Sequence, residues 1–164
     1  MKSSQSDWHR NPAHSPSARG FPFSTKLADP GETLLVVDDD EMIRDFESRV
    51  LRLEGYNVLQ AEGVAKALRL AQEAAAIHLL ITDFSMPEFD GLELTHRFRA
   101  VRPKIPVLMV SGSLASLDDR VRNLERFECM AKPFTHNELL RKVRTLLDAA
   151  APLPRRTASG SHQP

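Results

Sequence analysis

The sequence predicts an α/β fold: a doubly wound, five-stranded parallel sheet with five helices. Three observations lead to it. Five short apolar runs alternate with segments whose apolar residues recur at helical spacing. Gly, Pro, Asn and Asp punctuate the junctions. Two of the apolar runs end in carboxylates, at the rim where parallel sheets present ligand-binding groups.

The elements follow in order. Thr33–Asp38 is the first expected strand, running through Leu34-Leu35-Val36-Val37. A helix follows with Ile43, Phe46, Val50 and Leu53 as its apolar stripe, and Gly55 stops it. Tyr56–Ala61 reads as a second strand, and Val64, Ala67, Leu68 and Ala71 mark a second helix. His78–Asp83 is the third strand. The third helix starts at Gly91, with Asp90 as N-cap, Glu93 three residues on, and Leu94, Phe98 and Val101 as its stripe. Pro103 helps to end it. Pro106–Ser111 is the fourth strand, Leu117, Val121 and Leu124 suggest a fourth helix, and Phe127–Ala131 is a short fifth strand. Thr135 with Glu138 forms a capping-box pattern for a last helix bearing Leu139, Val143, Leu146 and Leu147. Right-handed crossovers then place helices on both faces of the sheet.

Composition narrows the function. The chain has 164 residues, with 22 Lys+Arg against 22 Asp+Glu. A formal net charge of zero gives no support for a nucleic-acid binder driven by phosphate neutralisation. Cys129 is the only cysteine, so neither an internal disulfide nor a cysteine zinc site is expected. No apolar stretch approaches the ~20 residues that span a bilayer, and the N-terminus has no signal-like apolar region. A cytoplasmic protein is the expectation. Residues 1–31, rich in Ser, Pro, His and Arg, read as a disordered arm; residues 32–148 as one domain; and 149–164 as a disordered tail.

Chemistry concentrates at the predicted strand ends. Asp38, Asp39 and Asp40 close the first strand, Asp83 closes the third, Ser111 ends the fourth and Lys132 follows the fifth. Carboxylates gathered from separate strands cannot share a pocket without a cation or raised pKa values. The arrangement asks for a hard divalent metal and an incoming phosphoryl group. Taken singly, each residue has a plainer use. The acidic run can cap a helix, the expected role of Asp40. Asp90-Gly91 is turn and cap chemistry, and His96 and His136 are expected on the surface.

Four ordered segments carry a resemblance: Leu35-Val36-Val37-Asp38-Asp39-Asp40, Thr82-Asp83-Phe84-Ser85-Met86-Pro87 with Asp90-Gly91, Val110-Ser111-Gly112, and Ala131-Lys132-Pro133-Phe134. Over residues 32–148 the chain resembles a response-regulator receiver domain of two-component phosphorelay systems. The resemblance implies a flavodoxin-like sheet of strand order 2-1-3-4-5. It implies Asp83 as phosphoacceptor, and Mg²⁺ held by Asp39, Asp83 and the backbone carbonyl of Ser85, with Asp38 acting through a metal-bound water. Ser111 and Lys132 would contact the phosphoryl group, and the Lys132–Pro133 bond would be cis. The implied partners are a sensor histidine kinase or a histidine phosphotransfer protein, then an unknown downstream protein; neither nucleic acid nor membrane is expected. The implied role is signalling by conformational change, not enzymatic turnover.

Two features depart from the family pattern. Cys129 stands where receivers commonly carry Tyr or Phe, which puts an aromatic switch coupled to Ser111 in doubt. Glu125-Arg126 replaces a Gly-Ala pair, so the fourth helix is expected to be short or irregular. Two rival readings remain open. One is a haloacid-dehalogenase-like phosphatase built on Asp38-x-Asp40, Ser111 and Lys132; the other is an inert receiver-like interaction module.

Overall fold

The computed structural model of the chain describes residues 28–29, 31–87, 89–113, 121 and 124–150. Five strands, β1 (Thr33–Val37), β2 (Asn57–Ala61), β3 (Leu79–Asp83), β4 (Val107–Ser111) and β5 (Phe127–Ala131), form one sheet. Its order is β2-β1-β3-β4-β5, and every neighbouring pair is parallel. Among the described residues four helices flank it: α1 (Glu41–Leu53), α2 (Val64–Glu73), α3 (Gly91–Val101) and α4 (His136–Ala150). The helix expected between β4 and β5 lies outside the described residues, apart from Val121 and Leu124.

Strand alternation divides the core into two layers. Leu34, Val36, Leu79, Ile81, Leu108, Val110 and Met130 face α1 and α4, where Leu51, Leu139, Val143 and Leu147 meet them. Leu35, Val37, Leu80 and Val107 face α2 and α3, against Ala67, Ala71, Leu94 and Phe98. A smaller cluster of Leu92, Met109 and Val121 extends this second face toward Cys129 and Phe127. The central strands are buried on both sides, as an all-parallel sheet requires.

The caps are placed as the sequence predicts. Asp40 accepts from the amides of Met42 (2.8 Å) and Ile43 (3.3 Å), and Asp90 from that of Glu93 (2.8 Å). The Thr135 amide donates to Glu138 at 2.8 Å, while the Glu138 amide donates back to the Thr135 hydroxyl at 3.3 Å. Gly55 ends α1 with a φ of 95°. The Lys132–Pro133 bond is cis.

One predicted stripe is corrected. Helix α1 buries Glu47, Ser48 and Leu51, not the Ile43/Phe46/Val50/Leu53 line. Leu53 is 78% exposed and Phe46 46%, the latter packing on Phe134 with ring centroids 6.3 Å apart. Ile43 and Val50 are half-buried at the edges of the buried face. The phase of the helix is set by its Asp40 cap and its seat on the sheet, which overrides the most apolar arc.

Candidate functional site

Asp38 extends the β1 ladder by one residue, its amide donating to the Ala61 carbonyl at 3.3 Å. Lys132 does the same for β5, its amide donating to the Ser111 carbonyl at 2.8 Å. Alternation along the strands therefore sends Asp38, Asp83 and Lys132 to the same side of the sheet, the side covered by α1 and α4. There the Lys132 ammonium donates to Asp38 Oδ2 at 2.8 Å and lies 2.6 Å from Asp83 Oδ1. Each carboxylate keeps its second oxygen on the backbone: Asp38 Oδ1 accepts from the Asp40 amide (2.8 Å) and Asp83 Oδ2 from the Ser85 amide (2.7 Å). Asp38 and Asp83 are buried, and Lys132 is half-buried between them.

Burial alone would lower the Lys132 ammonium, but hydrogen bonds to the two aspartates outweigh it and its pKa is raised. The lysine stays charged and marks the point where cationic charge is wanted. Burial likewise raises Asp38, against the pull of Lys132 and the Asp40 amide.

The remaining expected residues surround this triad. Asp39 is exposed, in the bend that follows β1. Ser111 is buried, and its hydroxyl both donates to the Ser113 carbonyl (3.0 Å) and accepts from the Ser113 amide (3.1 Å). It faces its own loop. Gly91 brings α3 against the end of β3: its amide donates to the Phe84 carbonyl at 2.9 Å, and a Cβ there would lie 2.2 Å from the Asp83 carbonyl oxygen. Cys129 is half-buried beside Met109, and burial pushes its thiol up, so the reactive thiolate is suppressed.

Among the described residues, no three His, Cys, Asp or Glu side chains are gathered closely enough to enclose a metal. The donor set nevertheless suits Mg²⁺. That ion takes one or two carboxylates and completes its shell with water and carbonyl oxygen. Each oxygen of Asp38 and Asp83 has one partner here and so retains acceptor capacity.

Glu47 was not visible in the sequence as part of this site. It is 2% exposed on the buried face of α1, and its Oε1 has no hydrogen-bond partner. Burial first, then the charges of Asp38 and Asp83 against that of Lys132, push its carboxyl up to about 8. In the sequence it is one acid among several on an amphipathic helix, which ordinarily reads as a solvated side chain.

Shape alone would point elsewhere. Surface hollows open at the opposite rim, lined by residues that precede β3, β4 and β5, among them His78, Pro106 and Arg126. Their arginines are engaged with backbone carbonyls: Arg99 with Glu125 (2.6 Å), Arg102 with Ala71 (3.0 Å) and Arg126 with Lys104 (3.3 Å).

Known proteins match the same architecture. PrrA of Mycobacterium tuberculosis, a transcriptional regulatory protein, is 38% identical over 116 residues, covering 70% of this chain and 49% of that protein. The chain spans about half the length of the curated relatives it matches. A response regulator receiver protein from Sinorhizobium medicae superposes with a TM-score of 0.67 at 27% identity, covering 74% of this chain and 98% of that one. TrrA of Thermotoga maritima, solved in complex with Mg²⁺ and BeF, gives 0.62 at 30% identity, covering 71% and 99%. The family model described as response regulator receiver domain matches residues 34–144, and with the 2-1-3-4-5 sheet and the Asp–Lys–Asp cluster at its rim this places the chain in the receiver-domain family of two-component response regulators.

Proposed function

We propose that this receiver accepts a phosphoryl group on Asp83 from the phosphohistidine of a sensor histidine kinase or a histidine phosphotransfer protein. The observation that carries the reading is the Asp83 carboxylate itself. It is buried at a strand end, with one oxygen 2.6 Å from the Lys132 ammonium and the other accepting from the Ser85 amide. An Asp83 oxygen attacks phosphorus, the P–N bond to the donor imidazole breaks, and its electron pair leaves with the imidazole. The product is an acyl phosphate on Asp83. Lys132 places its charge against the phosphoryl oxygens, and Ser111 turns its hydroxyl from Ser113 to donate to one of them.

Asp39, Asp83 and the Ser85 carbonyl would hold Mg²⁺, with Asp38 acting through a bound water. When bound, the ion supplies positive charge against the transferring group. The turning of Ser111 releases its loop and changes the surface offered to a downstream protein. No described helix is long and apolar enough to cross a membrane.

The test is labelling by a radioactive small-molecule phosphodonor with Mg²⁺. The wild-type chain takes up label and Asp83→Asn falls to background. Full labelling of Asp83→Asn would overturn the assignment. Steady turnover of a generic phosphate ester would favour the phosphatase reading instead.

A further inference from the structure

The rim opposite Asp83 carries charge that the phosphoacceptor chemistry does not use. A hollow of about 490 Å³ opens there, within the size range of small-molecule sites. Arg102, Lys104 and Arg126 line it together with His78, and no acidic side chain does. In a chain with equal numbers of acids and bases this is a marked local excess of positive charge. Among the described residues, none of the three cations has an ion-pair partner. The arginines are held by backbone carbonyls instead: Arg102 by those of Ala71 and Ala74, and Arg126 by that of Lys104. Such bonds fix a guanidinium in place without neutralising it, and each leaves donors to spare.

Arg126 supplies a second, independent observation. Its φ of 51° lies in the left-handed region, which glycine enters freely and a residue with a Cβ enters at a cost. Glycine would remove that cost. An arginine kept in such a backbone points to a use for its side chain. The floor of the hollow is apolar, made by Ile77 and Ile105 with Pro103 beside them. His78 Nδ1 accepts from the Thr33 amide at 2.9 Å, which fixes the imidazole next to that floor. An apolar floor inside a cationic rim suits an anion with a flat apolar body. The cations converge on one hollow, from the loop between α3 and β4 and from the turn before β5, rather than running along a stripe. Convergent donors match the compact charge of phosphate, which takes several at once, better than the spaced acids of a peptide. We propose that this hollow binds a nucleoside phosphate, its phosphates on Arg102, Lys104 and Arg126 and its base over Ile77 and Ile105. The site is separate from the acidic rim and does not depend on the phosphoacceptor reading.

The experiment titrates the chain with ADP in chelator, which keeps Mg²⁺ from drawing phosphate to the acidic rim. The amide shifts of Ile77, Lys104 and Arg126 are followed by NMR. Wild type should give saturable shifts there, at lower concentration for ADP than for inorganic phosphate. Arg126→Gly relieves the left-handed backbone, so its urea midpoint should hold or rise. The same variant should bind ADP roughly tenfold more weakly, the scale of one lost charge-assisted hydrogen bond. Lys104→Ala, in an exposed loop, should weaken ADP by a similar factor with the midpoint unchanged. A merely structural role for Arg126 predicts the reverse, a lower midpoint with affinity unchanged. The inference fails if ADP binds no more tightly than inorganic phosphate, if its shifts appear only around Asp83, or if both variants bind within about twofold of wild type. A poly-glutamate peptide that binds more tightly than ADP would also overturn it, making the hollow a docking surface for an acidic protein.

Discussion

A carboxylic acid held in apolar surroundings titrates late, and at Glu47 this has a consequence that pH alone can read. In the unfolded chain the group titrates near 4.5; in the folded, metal-free protein its pKa is pushed up to about 8. Between those values the native state holds a proton that the unfolded state has released. Stability therefore falls as pH rises through this window. The contribution is complete below about pH 4.5 and gone above about pH 8, on the order of a few kcal/mol in all. Urea midpoints measured in chelator from pH 5 to 8 should decline for wild type and be markedly flatter for Glu47→Gln, which cannot titrate. Parallel slopes for the two proteins would show that Glu47 is already ionised in the native state. The residue also marks where reading the sequence stops. Asp38, Asp83 and Lys132 were legible because strand ends follow from short apolar runs, and alternation then fixes the side each residue faces. Glu47 was not, because the arc α1 turns inward depends on its seat against the sheet, and that arc buries two polar residues while Leu53 stays in water.

At the level of elements, caps and strand ends read well because their signals are local: Asp40, Asp90 and the Thr135/Glu138 pair each act within three residues of themselves. Contacts between elements read poorly. Arg126 shows the difference. The sequence lacks the glycine expected before β5, yet the chain makes the left-handed turn anyway, with an Arg126 φ of 51°. Gly91 shows it again. Its place at the start of α3 looked like ordinary turn chemistry, but the structure gives it a second reason, the 2.2 Å approach a Cβ would make to the Asp83 carbonyl oxygen. Gly91→Ala is thus pulled in two directions. Helix propensity favours alanine by up to about 1 kcal/mol. The clash is with backbone, which cannot swing aside, and overpacking of this kind costs about 1–3 kcal/mol. We expect the clash to win, giving a lower urea midpoint together with slower Asp83 labelling by a small phosphodonor, since the shifted atom belongs to the acceptor residue. A Gly91→Ala protein as stable as wild type with unchanged labelling would mean that α3 slides away from β3 without disturbing the site.

Across the whole molecule, the doubly wound sheet was legible from the alternation of elements, because parallel strands with crossover helices leave few ways to bury two apolar faces. What ties the first strand to the last helix was not. Glu32, just before β1, accepts both terminal nitrogens of Arg144 on α4, at 2.8 and 3.0 Å, and Arg144 also meets Asp148 at 2.9 Å. The pair is separated by 112 residues in the chain, and no local pattern could announce it. Arg144 is buried; burial would lower its pKa, but the Glu32 carboxylate outweighs that and the group is raised, so it stays charged. Removing one partner from such a pair strands a charge in the interior, and that sets the size of the effect. Glu32→Ala should lower stability by about 2–3 kcal/mol, less than a fully buried pair because Asp148 remains. Glu32→Ala with Arg144→Leu should recover part of it, as the stranded guanidinium is gone and Leu extends the apolar face of α4. Urea denaturation of the single and double variants measures the coupling directly. Labelling of Asp83 should be unchanged in both, since the clamp lies before β1 while the acidic rim lies after it. A Glu32→Ala change under about 0.5 kcal/mol would place the pair among the surface contacts that contribute little.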